Sequence, residues 1–307
     1  MSSPVELDAL LERRVLLVTG KGGVGKTSVS AALALAAVAR GKKPLVVSCD
    51  GRPTVGRLLG PRDEGSAATD VGQGVWGMYI DFREALVDLI ADMLGARRLV
   101  DAFLGNRVVR TFIHSAPSVM EMTLLHRMDR ARSDQEPGGP FSPVIVDLPA
   151  SGHALALLST PRAVMRLVRV GPLYRRAVEL LRLTHDAKQT ALVVVTLAEE
   201  LPINETIELV TRARDLNVPV GHVVVNAVPH LPMHPEDVAL LGNLRETGPE
   251  PLRQWVGETL AGSERGARAH AEIERLKGAA QGAVTEVPFV KESGTDLAGT
   301  ISRSLRR

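Results

Sequence analysis

The stretch Gly20-Lys21-Gly22-Gly23-Val24-Gly25-Lys26-Thr27 sets the fold of this 307-residue chain. It follows a β-branched apolar run at 15–19 and precedes an alanine-rich segment of helical length at 28–39. A strand, the spacing GxxxxGK[ST] and a helix, in that order, distinguish a phosphate cradle from an ordinary glycine-rich turn. Glycines let successive backbone N–H groups turn inward around phosphate oxygens, and a helix starting near Lys26 adds the positive end of its dipole. Lys26 is expected on the β- and γ-phosphates, and the Thr27 hydroxyl on Mg2+. The expected ligands are therefore ATP and Mg2+. The expected cradle is Gly20, Lys21, Gly22, Gly23, Val24, Gly25, Lys26 and Thr27, with Ser28 in the following turn.

Further β-branched runs bounded by turn residues lie at 44–49, 75–80, 144–146, 191–196 and 222–225. A last apolar stretch, 283–290, fits a strand or an extended loop equally well. Helix-length segments alternate with the runs. This predicts an α/β fold with right-handed crossovers: a doubly wound, mostly parallel sheet flanked by helices, with ligands at the carboxyl ends of the strands. Residues 60–74 and 133–143, rich in Gly, Pro, Asp and Ser, read as exposed loops. Between these loops a block at about 82–132 is longer than a crossover requires and reads as a helical insertion in a single domain of residues 1–307. Its Leu and Met content, including Leu99, Phe103, Met120, Met122, Leu125 and Met128, suits either core packing or a groove for an apolar protein client.

Composition narrows the field. Apolar residues make up 45% of the chain and aromatics 3%, so the core is built from Leu, Val, Ala and Ile. Lys plus Arg number 37 against 35 Asp plus Glu, a balance that gives no global field for nucleic acid. Cys49 is the only cysteine, which excludes an intramolecular disulfide and suits a reducing cytoplasm. Glu6, Asp8 and Glu12 interrupt any signal-peptide pattern, so export is not expected. The apolar stretch at 28–39 is too short to span a bilayer, which takes roughly 20 residues.

Two carboxylates end strands beside the cradle. Asp50 closes the second run and can orient an attacking water, hold a water on Mg2+ or cap the next turn. Asp147 closes the run at 144–146 and fits an Mg2+ role, usually through water. His153 follows, as a helix-start residue or as part of a switch.

Lys21 is not needed to wrap the chain's own nucleotide. A lysine at this second position resembles the deviant Walker A loop shared by ParA, MinD, the nitrogenase iron protein and the ArsA ATPases with their tail-anchored-protein-targeting relatives. The resemblance implies a dimer in which Lys21 reaches the partner's phosphates, as an arginine finger does elsewhere. Catalytic roles would then fall to Lys21, Lys26 and Asp50, and metal roles to Thr27, Asp50 and Asp147.

Residues 147–161, DLPASGHALALLSTP, narrow the resemblance to the ArsA and targeting-factor branch, which carries an Asp-Thr-Ala-Pro-Thr-Gly-His stretch there. Thr196-Leu197-Ala198-Glu199 with Glu205-Thr206 is similar to the same branch. Asn226 matches its adenine-contacting asparagine, and Pro288-Phe289 its late loop beside the base. Ala116 to Glu121 matches a family segment loosely.

Departures are informative as well. Gly51-Arg52-Pro53 replaces the family's Pro-Ala-His after the aspartate, which points to slow hydrolysis. Cys49 alone cannot build a paired-cysteine zinc clasp, a soft arsenite site or a bridging iron–sulfur cluster. One P-loop per chain implies a homodimer or a heterodimer with a second ATPase half.

Three functions stay open: a client-controlling ATPase of this branch, a ParA/MinD-type positioning ATPase, and a weakly active nucleotide-binding scaffold. Arg162, Arg166 and Arg169 are spaced for one helical face. The basic tail at 296–307 places Leu297, Ile301 and Leu305 four apart, for docking on the sheet or a peripheral membrane contact.

Overall fold

A computed structural model describes residues 4–60, 62–97, 100, 117–133, 136–229, 233–280 and 282–306. Eight strands form one sheet: β1 (Val15–Gly20), β2 (Leu45–Ser48), β3 (Thr69–Gly72), β4 (Val75–Tyr79), β5 (Val144–Asp147), β6 (Thr190–Leu197), β7 (Val220–Val228) and β8 (Val284–Pro288). Their order is β3-β4-β2-β5-β1-β6-β7-β8, and every pair is parallel except β3 with β4. β1 lies between β5 and β6, so the chain turns from one half of the sheet to the other beside the loop that follows β1.

Alternation along β1 divides the core. Val15 and Leu17 face one apolar cluster, while Leu16 and Val18 face another across the sheet. The second cluster is closed by α1 (Pro4–Leu11), α2 (Lys26–Val38), the short α3 (Gly56–Leu59) and α11 (Gly294–Leu305). In α2 nearly every residue from Val29 to Ala37 is buried, because its small side chains admit the sheet on one side and α11 on the other. Ala298, Ile301 and Leu305 of α11 are buried in that contact, so the tail is docked on the fold, chiefly on α2 and only in part on the sheet through β8.

The first cluster is covered by α4 (Phe82–Leu94), α5 (Pro117–Ala131), α6 (Ser151–Leu167), α7 (Pro172–His185), α8 (Glu200–Asp215) and the end of α10 (Glu250–Ala280). Helix α4 starts at Asp81, whose carboxylate accepts from Glu84 N at 2.9 Å, and stops at Gly95 in the left-handed region. Met122, Leu125 and Met128 of α5 point into the core, whereas Met120 is exposed. Leu99, Phe103 and Ala116 lie outside the described residues. No helix of the described residues is long and apolar enough to cross a membrane.

Three sequence expectations change or resolve, and one feature is new. Residues 60–74 are not all exposed loop, since they include β3 and the buried Glu64 and Val71. Gln73 and Gly74, with φ of 54° and 77°, make the two-residue turn that folds β3 back on β4. Arg169 does not share a helical face with Arg162 and Arg166. Helix α6 ends at Leu167, Val168 is extended, and Gly171-Pro172 starts α7. The stretch at 283–290 resolves into β8. Finally, α9 (Pro235–Thr247) and α10 build a helical excursion between β7 and β8 that the sequence reading did not single out.

Candidate nucleotide site

The cradle begins where β1 runs out. Gly20 is pressed against β6, where a Cβ would lie 2.1 Å from the Val195 carbonyl oxygen. Gly25, at φ 91°, turns the chain into α2, and a Cβ there would lie 2.3 Å from Asn226 Nδ2. Both positions therefore require glycine, one for close approach and one also for its backbone angle. Between them Gly22 and Gly23 have open space where a side chain would stand, as a phosphate-wrapping loop needs.

The side chains converge as expected. Lys26 Nζ donates to the Lys21 carbonyl at 3.1 Å, which folds the lysine back over the loop it serves. Thr27 Oγ1 donates to Asp147 Oδ2 at 2.6 Å, which brings the two expected metal residues together. Asp147 is buried, and its other oxygen, Oδ1, has no hydrogen-bond partner. Burial raises its pKa to about 6, opposed by the Thr27 bond and Lys26 and reinforced by Asp50. A hydroxyl and a carboxylate with one oxygen unspent are hard donors of the kind Mg2+ takes alongside phosphates and waters. Among the described residues no group of three or more His, Cys, Asp or Glu is arranged to hold a metal ion unaided.

Asp50 is exposed in the turn after β2, close enough to Asp147 to act on its charge. Cys49, between them, has its thiol pKa pushed up by burial and by both carboxylates, so it stays protonated. His153 is exposed at the start of α6.

Lys21 is placed differently from the cradle proper. Its Nζ lies 2.7 Å from Glu205 Oε1 on α8, with the two side chains 39% and 38% exposed. The lysine is thus engaged at the surface by its own chain. Glu205 was noted in the sequence, but its pairing with a residue 184 positions away carried no local signal.

At the carboxyl ends of β6, β7 and β8 lies a cavity of about 610 Å3, lined among others by Leu197, Ala227, Pro229, Arg268 and Phe289 and by no residue of the cradle itself. Phe289 stands 54% exposed, and its N–H donates to the Val228 carbonyl at 2.8 Å. Asn226 does not line this cavity. Its Nδ2 donates to the Val24 carbonyl at 2.9 Å and braces the cradle from β7. Pro288 is not a lining residue either, so of the three residues expected beside the base only Phe289 borders the cavity. Arg268 of α10 was not foreseen, because the excursion that carries it was not.

A parallel sheet with a glycine cradle, an inward lysine and a Thr–Asp pair at its carboxyl edge defines a P-loop nucleoside triphosphatase. The matching family model is that of the anion-transporting ATPases, over residues 13–185. The chain belongs to this family, and it is an ATP-hydrolysing enzyme. It is 33% identical to ATPase BagA of Mycobacterium tuberculosis over 238 residues, which cover 74% of this chain and 68% of that one. It is 28% identical to the arsenical pump-driving ATPase of Escherichia coli, over 69% of this chain and 39% of that protein. It is also 24% identical to ATPase ARSA1 of Chlamydomonas reinhardtii, over 73% of this chain and 36% of the other.

Proposed function

We propose that this ATPase works as a nucleotide-switched dimer that controls the binding of a protein client, in the cytoplasm. The observation that carries the reading is the position of Lys21. It stands on the cradle yet points away to a half-exposed partner, Glu205, where a second subunit can reach it. Lys26 would hold the β- and γ-phosphates, and Thr27 and Asp147 would hold Mg2+, which neutralises charge developing on the transferred phosphoryl group. Asp50 would orient the attacking water. Lys21 from the opposing subunit would add charge where it develops in the transition state. The cavity bordered by Phe289 would take the nucleoside, with a homodimer or a second ATPase half as partner.

The burial of Ile301 and Leu305 weighs against a membrane-bound positioning cycle through the tail, because its apolar face is already used inside the fold. The test is ATP turnover and oligomeric mass for the parent and Lys21→Ala, with ATP and with ADP. ATP should dimerise the parent, and Lys21→Ala should keep ATP binding while losing turnover by about 1,000-fold or more, the scale of an arginine finger. A variant that hydrolyses ATP at the parental rate would sink the in-trans role and leave the phosphate loop assignment alone.

A further inference from the structure

A buried acid lies behind the turn that carries Asp50. Glu64 is 3% exposed, and no ion pair to it is found among the described residues. Its charge is met by backbone instead. Oε1 accepts from Thr54 N at 2.6 Å and Val55 N at 2.9 Å, and Oε2 accepts from Gly56 N at 2.6 Å. Three N–H donors on two oxygens call for a group that only accepts, which an ionised carboxylate is and an amide is not.

The clamp is itself anchored. Gly65, next in the chain, bridges to Met78 of β4, and its carbonyl accepts from Tyr79 N at 2.9 Å. The stem of Glu64 lies over Gly77, where a Cβ would come within 3.3 Å of the Glu64 Cβ. At Gly56 a Cβ would stand 2.8 Å from Oε2, so the clamp closes only on a glycine.

The clamped segment starts where the Asp50 turn ends. Ser48, the last residue of β2, has its hydroxyl 2.8 Å from that of Thr54. Residues 49–53 therefore form an arc with both ends fixed, one on β2 and one on Glu64. The first end is held further by Cys49 N donating to the Asp147 carbonyl at 3.3 Å and Ile80 N donating to the Ser48 carbonyl at 2.9 Å. Asp50 stands on that arc. The glycine, arginine and proline that follow it differ from the family's usual loop, and here the shape of the loop is set from behind.

We propose that Glu64 is the positioning residue for Asp50: its carboxylate fixes the far end of the arc and so holds Asp50 toward the cradle. This rests on Asp50 being the carboxylate that orients water. The full chain is compared as parent, Asp50→Asn, Glu64→Gln and the double variant, for ATP turnover, for mant-ATP affinity by fluorescence and for circular dichroism. Each single change should lower kcat by about 10- to 100-fold, the scale of a misplaced reacting group. Affinity for mant-ATP should stay within about threefold, and the double variant should be no slower than Asp50→Asn, since the two residues act as one unit.

A Glu64→Gln enzyme with parental kcat, or a double variant slower by the product of the two effects, overturns the proposal and leaves Asp50 in its role. Parental turnover by Asp50→Asn overturns the reading of Asp50, and the role of Glu64 with it. If Glu64→Gln does not fold, Glu64→Asp keeps the charge and draws the carboxylate back from the Thr54, Val55 and Gly56 N–H groups. Reduced kcat at unchanged mant-ATP affinity then supports the assignment, and parental kcat overturns it.

Discussion

Lys21 and Glu205 show how a single ion pair can set a threshold. A pair this exposed contributes about 1 kcal/mol at most, because water screens it and two long side chains must be ordered. That is too little to prevent Lys21 from leaving and enough to bias where it rests. Glu205→Gln is therefore expected to tighten ATP-dependent dimerisation by about two- to fivefold, measured as the dimer dissociation constant in sedimentation. Weaker dimerisation would instead mean that Glu205 acts with Lys21 across the interface. Residue identities inside the cradle were legible because each is demanded by local geometry, from the glycine turns to Lys26 and Thr27. Glu64 was not, since an acid in a Gly- and Asp-rich stretch reads as solvated, and only the fold shows it buried against three N–H groups.

Between elements, the polar contact among α4, α5 and α7 carries a pH dependence. His126 of α5 is buried, and its Nδ1 accepts from Arg176 Nε of α7 at 2.9 Å. Its Nε2 faces Asp92 of α4 at 3.3 Å, with Arg130 and Asp129 of its own helix nearby. Burial, then Arg176, lowers its pKa from 6.5 to about 4, with Arg130 acting in the same direction and Asp92 and Asp129 opposing it. The unfolded chain takes up this proton as pH falls through about 6.5, whereas the folded chain does so only near 4, so acid removes stability across that window. The loss is roughly 3 kcal/mol at its largest. Urea unfolding at pH 7.5, 6 and 5 should show the parent losing stability that His126→Gln does not lose; parallel curves would rule the histidine out.

Element boundaries show where local pattern stops being enough. Strands buried on both faces were visible as continuous β-branched runs. The hairpin strand β3 was hidden by its own turn residues. The arginine spacing at 162–169 ran across a helix end that only Gly171-Pro172 marked.

Across the whole molecule, one sheet divides two cores of unequal cover. The face of α2 is closed late in the chain by α11, so the tail is structural. Ile301→Ala removes a side chain that is 1% exposed and is expected to cost about 2–4 kcal/mol in chemical denaturation. A tail that served only an outside surface would show no such loss. The doubly wound order was foreseeable from alternating strands and helices, whereas the excursion α9 to α10 was not, because helical sequence between two strands looks like an ordinary crossover.

The central place of β1 also bears on how the protein is made. The phosphate loop emerges from the ribosome early, but the strands on either side of β1, β5 and β6, begin at Val144 and Thr190, and the brace on Val24 comes from Asn226. Contacts across such separations form late, after long loops have closed. A nascent chain therefore carries the motif without the pocket until Asn226 has been made, and the ability to hold ATP marks a chain in which β1, β5, β6 and β7 have come together.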